Sequence, residues 1–256
     1  MSAPKLLDLY CCAGGAAAGY QAAGFEVCGV DISGQFEADY PGWFHLGDVL
    51  HVLRTLLRTN PSKRAVQFRR VSPGRPGGRD WEWLRLEDVD AIHASPPCQA
   101  HSTLTKGNKP RGVGRDHVDF IAETRELLDL TGKPYVIENV TSAPVRADVT
   151  LCGLMFDLRV FRHRLFELGG WSMDQIDHPS HKGHRVAGWR HGVKYEGDMF
   201  AVYGDGGGKG TVAQWQDAMG IHHTADRLAL AEAIPPAYTE HIGTQLLAAV
   251  GQEAAA

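Results

Sequence analysis

The segment Ser95-Pro96-Pro97-Cys98-Gln99 sets a thiol directly behind two prolines at the exit of a short apolar run. The prolines stiffen the backbone and would hold the sulfur at the mouth of a pocket. A free thiol of pKa about 8.5 is only a few per cent ionised at neutral pH, so Cys98 needs activation to act as a nucleophile. Cys28 and Cys152 lie in ordinary surroundings and read as small buried hydrophobes. A second centre is Glu138-Asn139-Val140, a carboxylate in the otherwise apolar run Tyr135, Val136, Ile137, Val140. Burying a carboxylate is costly unless it is paired, and desolvation raises its pKa, leaving a proton to donate. Arg162 and Arg164, two residues apart, fall on one side of a strand and are candidate partners. The plainer reading of Glu138 with an arginine is a structural ion pair.

Acids also end earlier apolar runs. Asp31 closes the run Glu26 to Ile32, where a carboxylate can bind ribose hydroxyls, and Asp48 follows Phe44 to Leu46, where it could accept from an adenine amino group. Each alone reads as a turn carboxylate; together, on one sheet edge, they outline a nucleoside pocket. Gly14 and Gly15 follow the first run, Lys5 to Tyr10, and let backbone approach a ligand closely, a weak signal by itself. His178, His181, His184 and His191 cluster near Trp189 without a cysteine among them, and read as loop residues touching a nucleic acid or filling a small lobe rather than as metal ligands. No metal is expected.

The elements that must position these groups follow from the spacing. Lys5 to Tyr10, a glycine turn, an alanine-rich helix from Ala16 to Ala23 stopping at Gly24, and a strand from Glu26 to Ile32 form the opening of a Rossmann-like α/β domain. Further strands are predicted at Phe44 to Leu46, Val89 to Ala94, Tyr135 to Val140, Val160 to Leu168 and Met199 to Tyr203. Helices are predicted through Leu50, Leu53, Leu56 and Leu57, from His117 to Leu130, and from Thr239 to Val250 behind Pro235-Pro236. Asn60 to Gly78, rich in Pro, Gly and Arg, reads as a loop, as does Ala100 to Arg115. The organisation expected is a catalytic α/β domain over 1–168, a small recognition lobe or long excursion over 169–198, and a segment over 199–256 that packs back on the catalytic domain.

Composition bounds the class. The chain has 256 residues, 43% hydrophobic and 22% charged, enough to bury a core without disulfide or metal staples. Its 5 cysteines include no CxxC pair, and no apolar stretch approaches the roughly 18 residues of a membrane span. A cytoplasmic, monomeric protein away from membranes is expected. Net charge is −4, so bulk electrostatics do not favour a polyanion. Distribution does: Arg54, Arg58, Lys63, Arg64, Arg69, Arg70, Arg75, Arg79 and Arg85 are interrupted only by Asp80 and Glu82, and Lys106, Lys109, Arg111 and Arg115 follow. These are read as a phosphate-binding face, the alternative being solvated loops.

The ordered set Asp8-Leu9-Tyr10 with Gly14-Gly15, Asp31, Asp48, Pro97-Cys98-Gln99, Glu138-Asn139-Val140 and Arg162-x-Arg164, closed by Ile234-Pro235-Pro236, resembles the DNA cytosine-5 methyltransferase family. The likeness covers nearly the whole chain except about Asp174 to Lys194, and the segment between the arginine strand and the end motifs is short for that family's target-recognition domain. Cys12 stands where the family has its first turn glycine, Val160 where it has a glutamine, and Glu232 where it has an asparagine. The resemblance implies a Rossmann-like S-adenosylmethionine-dependent methyltransferase fold with a small recognition lobe, the cofactor S-adenosyl-L-methionine, and double-stranded, cytosine-containing DNA as partner. It further implies Cys98 as nucleophile toward C6 of a flipped-out cytosine, with Glu138, Arg162 and Arg164 as the other catalytic residues. Asp8, Tyr10, Gly14, Gly15, Asp31, Ile32, Asp48, Val49 and Pro97 would bind the cofactor. Ser95, Gln99, Asn139, Lys106 and Arg111 would meet the substrate. Cytosine-5 methylation of RNA or of free nucleotides, and an inactive nucleic-acid-binding relative, are the competing readings.

Overall fold

The first strand shows no alternation because both of its faces are covered: Leu6, Leu7, Asp8 and Leu9 are all 0% exposed in Lys5–Leu9 (β1). The computed structural model describes residues 2–71, 79–97, 119–190, 192–204 and 210–253. Helix α1 (Gly15–Ala23) follows β1 and stops at Gly24, whose φ of 111° is open to glycine. Next come β2 (Glu26–Asp31), β3 (Trp43–Leu46) and α2 (Val49–Leu56), then β4 (Ala65–Val71), β5 (Arg79–Arg85) and β6 (Ala91–Ala94). Helix α3 (Ile121–Thr131) precedes β7 (Tyr135–Asn139), β8 (Val149–Leu151) and β9 (Arg164–Gly169). A two-stranded hairpin, β10 (Gly188–Arg190) and β11 (Val193–Tyr195), leads to α4 (Val212–Met219), α5 (Arg227–Glu232) and α6 (Pro236–Glu253).

The main sheet has 9 strands in the order β5-β4-β3-β2-β1-β6-β7-β9-β8. From β3 to β7 the neighbours are parallel; β9 runs antiparallel to β7, and β8 antiparallel to β9. The chain builds outward from β1 through β2 to β3, then returns to place β6 and β7 on the other side of β1. That reversal opens a crevice at the carboxyl ends of β1, β2 and β6, where open α/β sheets bind ligands.

Two layers cover the sheet. On one, Tyr20 of α1 packs with Tyr238, Ile242 and Leu246 of α6; on the other, Val52, Leu53 and Leu56 of α2 pack with Phe68, Leu84 and Leu128. Helices α1 and α6 approach closely because Gly19 has no side chain: a Cβ there would lie 2.1 Å from the Pro236 carbonyl oxygen. Thr239 then donates to the Ala16 carbonyl at 2.9 Å. Arg125 of α3 clasps the fully buried Glu167 of β9 through two hydrogen bonds of 2.7 and 2.8 Å. Among the described residues no helix is long and apolar enough to cross a membrane.

Several expectations need correction. Residues 60–78 are not all loop: Ala65–Val71 is a strand, paired in full register with Arg79–Arg85. Val66 and Phe68 point into the core while Gln67 is exposed, a period of two that the surrounding arginines conceal. The strand expected from Val160 begins only at Arg164, so Arg162 is not part of it. Met199 to Tyr203 forms no strand but a single bridge between Met199 and Val186. Strands β8, β10 and β11 and helices α4 and α5 were not anticipated, being too short for a readable period.

Candidate active site

The turn between β1 and α1 is tightly wound. Tyr10, Cys12 and Gly14 take φ values of 59°, 48° and 82°, all in the left-handed region. Gly14 suits that conformation, and a Cβ on it would meet the Pro41 ring at 2.4 Å. Cys12 does so as a non-glycine residue, at a cost of about 1–2 kcal/mol. Its backbone N–H donates to Asp31 Oδ2 at 2.9 Å, which ties the turn to the end of β2. The position where the resemblance places a glycine therefore keeps the glycine conformation with a cysteine in it.

Beneath the turn lies a cavity of about 480 Å³. Its wall includes Asp8, Tyr10 and Gly15 from the first unit, Asp31 and Ile32 behind β2, and Asp48 and Val49 at the start of α2. Ser95 and Pro97 join from the exit of β6, Glu138 from β7 and Arg164 from β9. Asp31 is oriented by two backbone donors, Cys12 and Ser33, the latter at 2.8 Å. Asp48 caps α2 by accepting from the His51 N–H at 2.7 Å, so the turn role and the cavity role coincide. Tyr10 is fixed by a 2.8 Å hydrogen bond between its hydroxyl and that of Thr124.

Asp8 is wholly buried, and burial pushes its pKa up to about 8 despite a 3.1 Å hydrogen bond donated by the Tyr40 hydroxyl. Tyr40 reaches it because Gly29 leaves room: a Cβ there would lie 2.3 Å from the tyrosine ring. The other oxygen, Asp8 Oδ1, is buried and has no hydrogen-bond partner among the described residues.

Across the cavity, Arg164 Nε meets Glu138 Oε1 at 2.7 Å, with side-chain exposures of 14% and 8%. Burial raises the Glu138 pKa, opposed by the Arg164 and Arg162 guanidinium groups and by a hydrogen bond from Ser95. Ser95 is itself bonded to His93 Nε2 at 2.8 Å, and His93 Nδ1 to the Tyr20 hydroxyl at 3.0 Å. Burial holds His93 down to about 3, so it is neutral. A hydrogen-bonded chain thus runs from α1 through β6 to the carboxyl group.

Three predicted site residues have other surroundings. Gly14 shapes the turn without lining the cavity. Asn139 is buried and donates to the Pro96 carbonyl at 3.0 Å, bracing the proline exit. Arg162 donates to the carbonyls of Val202, Ala231 and Ala233 at 2.6–2.9 Å, fastening the C-terminal segment beside the cavity rather than presenting its guanidinium from the strand with Arg164. Cys98, Gln99, Lys106 and Arg111 lie outside the described residues, as do Lys109, Arg115 and the rest of the Ala100 to Arg115 loop. Pro97, the residue before Cys98, is in the wall. Glu232, singled out as a departure from the resembled motif, is in the wall; sequence reasoning missed Phe36 and Phe120 there, and His93 and Tyr40 behind it. Burial and nearby Asp31 raise the Glu232 pKa.

The basic face anticipated between Arg54 and Arg85 is extensively neutralised. Arg69 and Arg79 both reach Glu37, at 2.6 and 3.4 Å, Arg64 pairs with Glu87 at 3.0 Å, Arg70 with Asp80 at 3.7 Å, and Arg54 with Glu123. Arg75 is outside the described residues. Two of these acids, Glu37 and Glu123, lie far from the arginines in sequence, so counting local acids understated the pairing.

No protein-family model matches the sequence, and no curated protein matches it. Solved structures do share its fold. Dnmt2 methyltransferase of S. pombe is 13% identical, with a TM-score of 0.52 over 96% of this chain and 99% of that one. A triple mutant of Spodoptera frugiperda DNMT2 is 13% identical, with a TM-score of 0.55 over 95% and 99%. The Entamoeba histolytica methyltransferase EhMeth is 9% identical, with a TM-score of 0.50 over 98% and 99%. The chain has the Rossmann-like methyltransferase fold.

Proposed function

We propose that this chain transfers a methyl group from S-adenosylmethionine to C5 of cytosine in DNA. The observation that carries the reading is the buried Glu138–Arg164 pair, in the wall of the same cavity as Asp31, Asp48 and the proline exit that leads into Cys98. The cavity suits the cofactor. Phe36, Val49 and Leu50 offer apolar surface for an adenine ring, and the Asp31 carboxylate keeps acceptor capacity for ribose hydroxyls. The unpartnered Asp8 Oδ1 is a buried acceptor that the amino group of a bound methionine moiety would satisfy. When bound, S-adenosylmethionine supplies an electrophilic methyl group.

The chain's residues make C5 nucleophilic. The Cys98 thiolate adds to C6, forming the S–C6 bond, while Glu138 holds N3 and the exocyclic amine and delivers a proton as charge builds there. Arg164 keeps Glu138 in place. After methyl transfer, water takes the C5 proton, the C–H electron pair forms the C5–C6 double bond as the Cys98 sulfur leaves as thiolate, and the proton on N3 returns to Glu138, restoring the ring. A duplex base reaches such a site only by leaving the stack, at a cost of a few kcal/mol. Trp81 and Trp83, 55% and 59% exposed, lie on one face of β5 with Arg85 at its end, a pair of rings beside a cation that supports a nucleic-acid substrate.

The test is methyl incorporation from labelled S-adenosylmethionine into duplex DNA, RNA and dCMP side by side, with the product base identified. Label recovered as 5-methylcytosine in DNA is expected. Label confined to RNA or nucleotide would replace the substrate assignment, and binding without label in any of them would favour an inactive relative.

A pH effect follows from Asp8. Its raised pKa means that the carboxyl is mostly protonated below pH 8. A cationic ligand group favours the ionised form, so cofactor affinity should rise as pH increases toward the folded-state pKa. The expected gain is several-fold between about pH 6.5 and 8, read by calorimetry with S-adenosylhomocysteine. Asp8→Asn should flatten this dependence; an unchanged slope in that variant would remove Asp8 from the cofactor site.

A further inference from the structure

Four side chains outside the cavity converge on one point. Cys152 follows the edge strand β8, His163 immediately precedes β9, and His178 and His181 come from the stretch after β9. Each offers one ligand atom, and all four atoms lie within 4.8 Å of one another. Cys152 Sγ is 3.3 Å from His181 Nε2, and His163 Nε2 is 3.0 Å from His178 Nε2. A tetrahedral zinc ion bound through sulfur and imidazole nitrogen needs ligand atoms roughly 3.3–3.8 Å apart, as its bond lengths require. The cluster, with separations of 3.0 and 3.3 Å and none beyond 4.8 Å, reaches that size with small side-chain adjustments.

We propose that Cys152, His163, His178 and His181 form a structural Zn²⁺ site. All four positions are supplied by protein, one soft sulfur and three imidazoles, which is the closed set of a structural rather than a catalytic zinc. The expectation of no metal rested on the absence of a cysteine near these histidines; the fold supplies one from 26 residues before His178. His184, part of the same histidine run, turns away to pair with Asp198 and is not a ligand. His191 is outside the described residues.

The surroundings give the ion a task. Between β9 and β10 the chain forms no helix or strand apart from the bridge at Val186, so it has few ladder hydrogen bonds to hold it. An ion binding His178 and His181 would staple this excursion to the sheet edge through Cys152 and His163. His163 stands between Arg162 and Arg164, so the same ion would fix the backbone that carries both arginines. The site does not depend on the proposed reaction, because none of its four ligands lines the cavity.

The test uses the full chain purified without a polyhistidine tag from zinc-supplemented medium. Elemental analysis should find one zinc per chain, surviving gel filtration. His178→Ala, an exposed position, and Cys152→Ser should each weaken Zn²⁺ retention against a chelator at least roughly tenfold. His184→Ala should leave retention unchanged. Substitution with Co²⁺ should produce a thiolate-to-cobalt charge-transfer band that Cys152→Ser lacks, and far-ultraviolet circular dichroism should show all variants folded. Wild-type chain that neither carries zinc nor takes it up on titration would overturn the site. Stoichiometric copper in place of zinc, or equal zinc in wild type, Cys152→Ser and His178→Ala, would do the same.

Discussion

Cys98→Ser is expected to abolish methyl transfer while leaving cofactor binding close to wild type. A serine hydroxyl is far less ionised than a thiol and a weaker nucleophile. The groups proposed to hold the cofactor, Asp31 at the end of β2 and Asp48 at the cap of α2, sit on other elements and keep their backbone hydrogen bonds. DNA carrying 5-fluorocytosine separates the covalent route from simple binding. After methyl transfer the fluorine at C5 cannot leave as a proton does, so the S–C6 bond persists and the complex survives denaturing electrophoresis. Wild type should be trapped in the presence of S-adenosylmethionine, and Cys98→Ser should not. Turnover by the serine variant, or no trapped wild-type complex, would rule out the covalent mechanism.

Glu138→Gln should lower the single-turnover rate by about 10²-fold or more, the usual scale for a lost general acid. The glutamine keeps the shape and one acceptor for Arg164, so DNA affinity should fall much less than the rate. Arg164→Ala is a poorer probe: removing one partner of a buried pair commonly costs about 3–5 kcal/mol of stability. The pH profile separates catalysis from structure. Burial raises the Glu138 pKa, and a general acid works only while protonated. The ratio of wild-type to Glu138→Gln rate should therefore be largest below that pKa and shrink as pH rises through it, while the contribution of Cys98 ionisation cancels in the ratio. A loss of less than about threefold, or a ratio independent of pH, would make Glu138 a structural ion-pair residue.

The local signals in the sequence were those with their physical cause in a few neighbouring residues. The apolar runs at Leu6 to Leu9 and Val136 to Ile137 marked buried parallel strands, and Gly24 marked the end of α1, because burial and backbone conformation act residue by residue. Glu138 was legible for the same reason: a carboxylate in an apolar strand announces a paired, desolvated group before any partner is known. The partners were not legible. Arg164 reaches Glu138 whereas Arg162 binds the carbonyls near Ala231 and Ala233, because the strand starts one residue after His163 and the chain bends there, with φ of 30° at Arg162. Arg69 and Arg79 lose their availability to Glu37, and His93 joins the network around Glu138 from behind through Ser95. Cys152, an unremarkable buried cysteine in the sequence, acquires three histidines only when β8, β9 and the following excursion are laid side by side. Residue type and period set which groups must be buried; the order of strands across the sheet decided which of them meet, since those contacts join residues too far apart in the chain for local spacing to register.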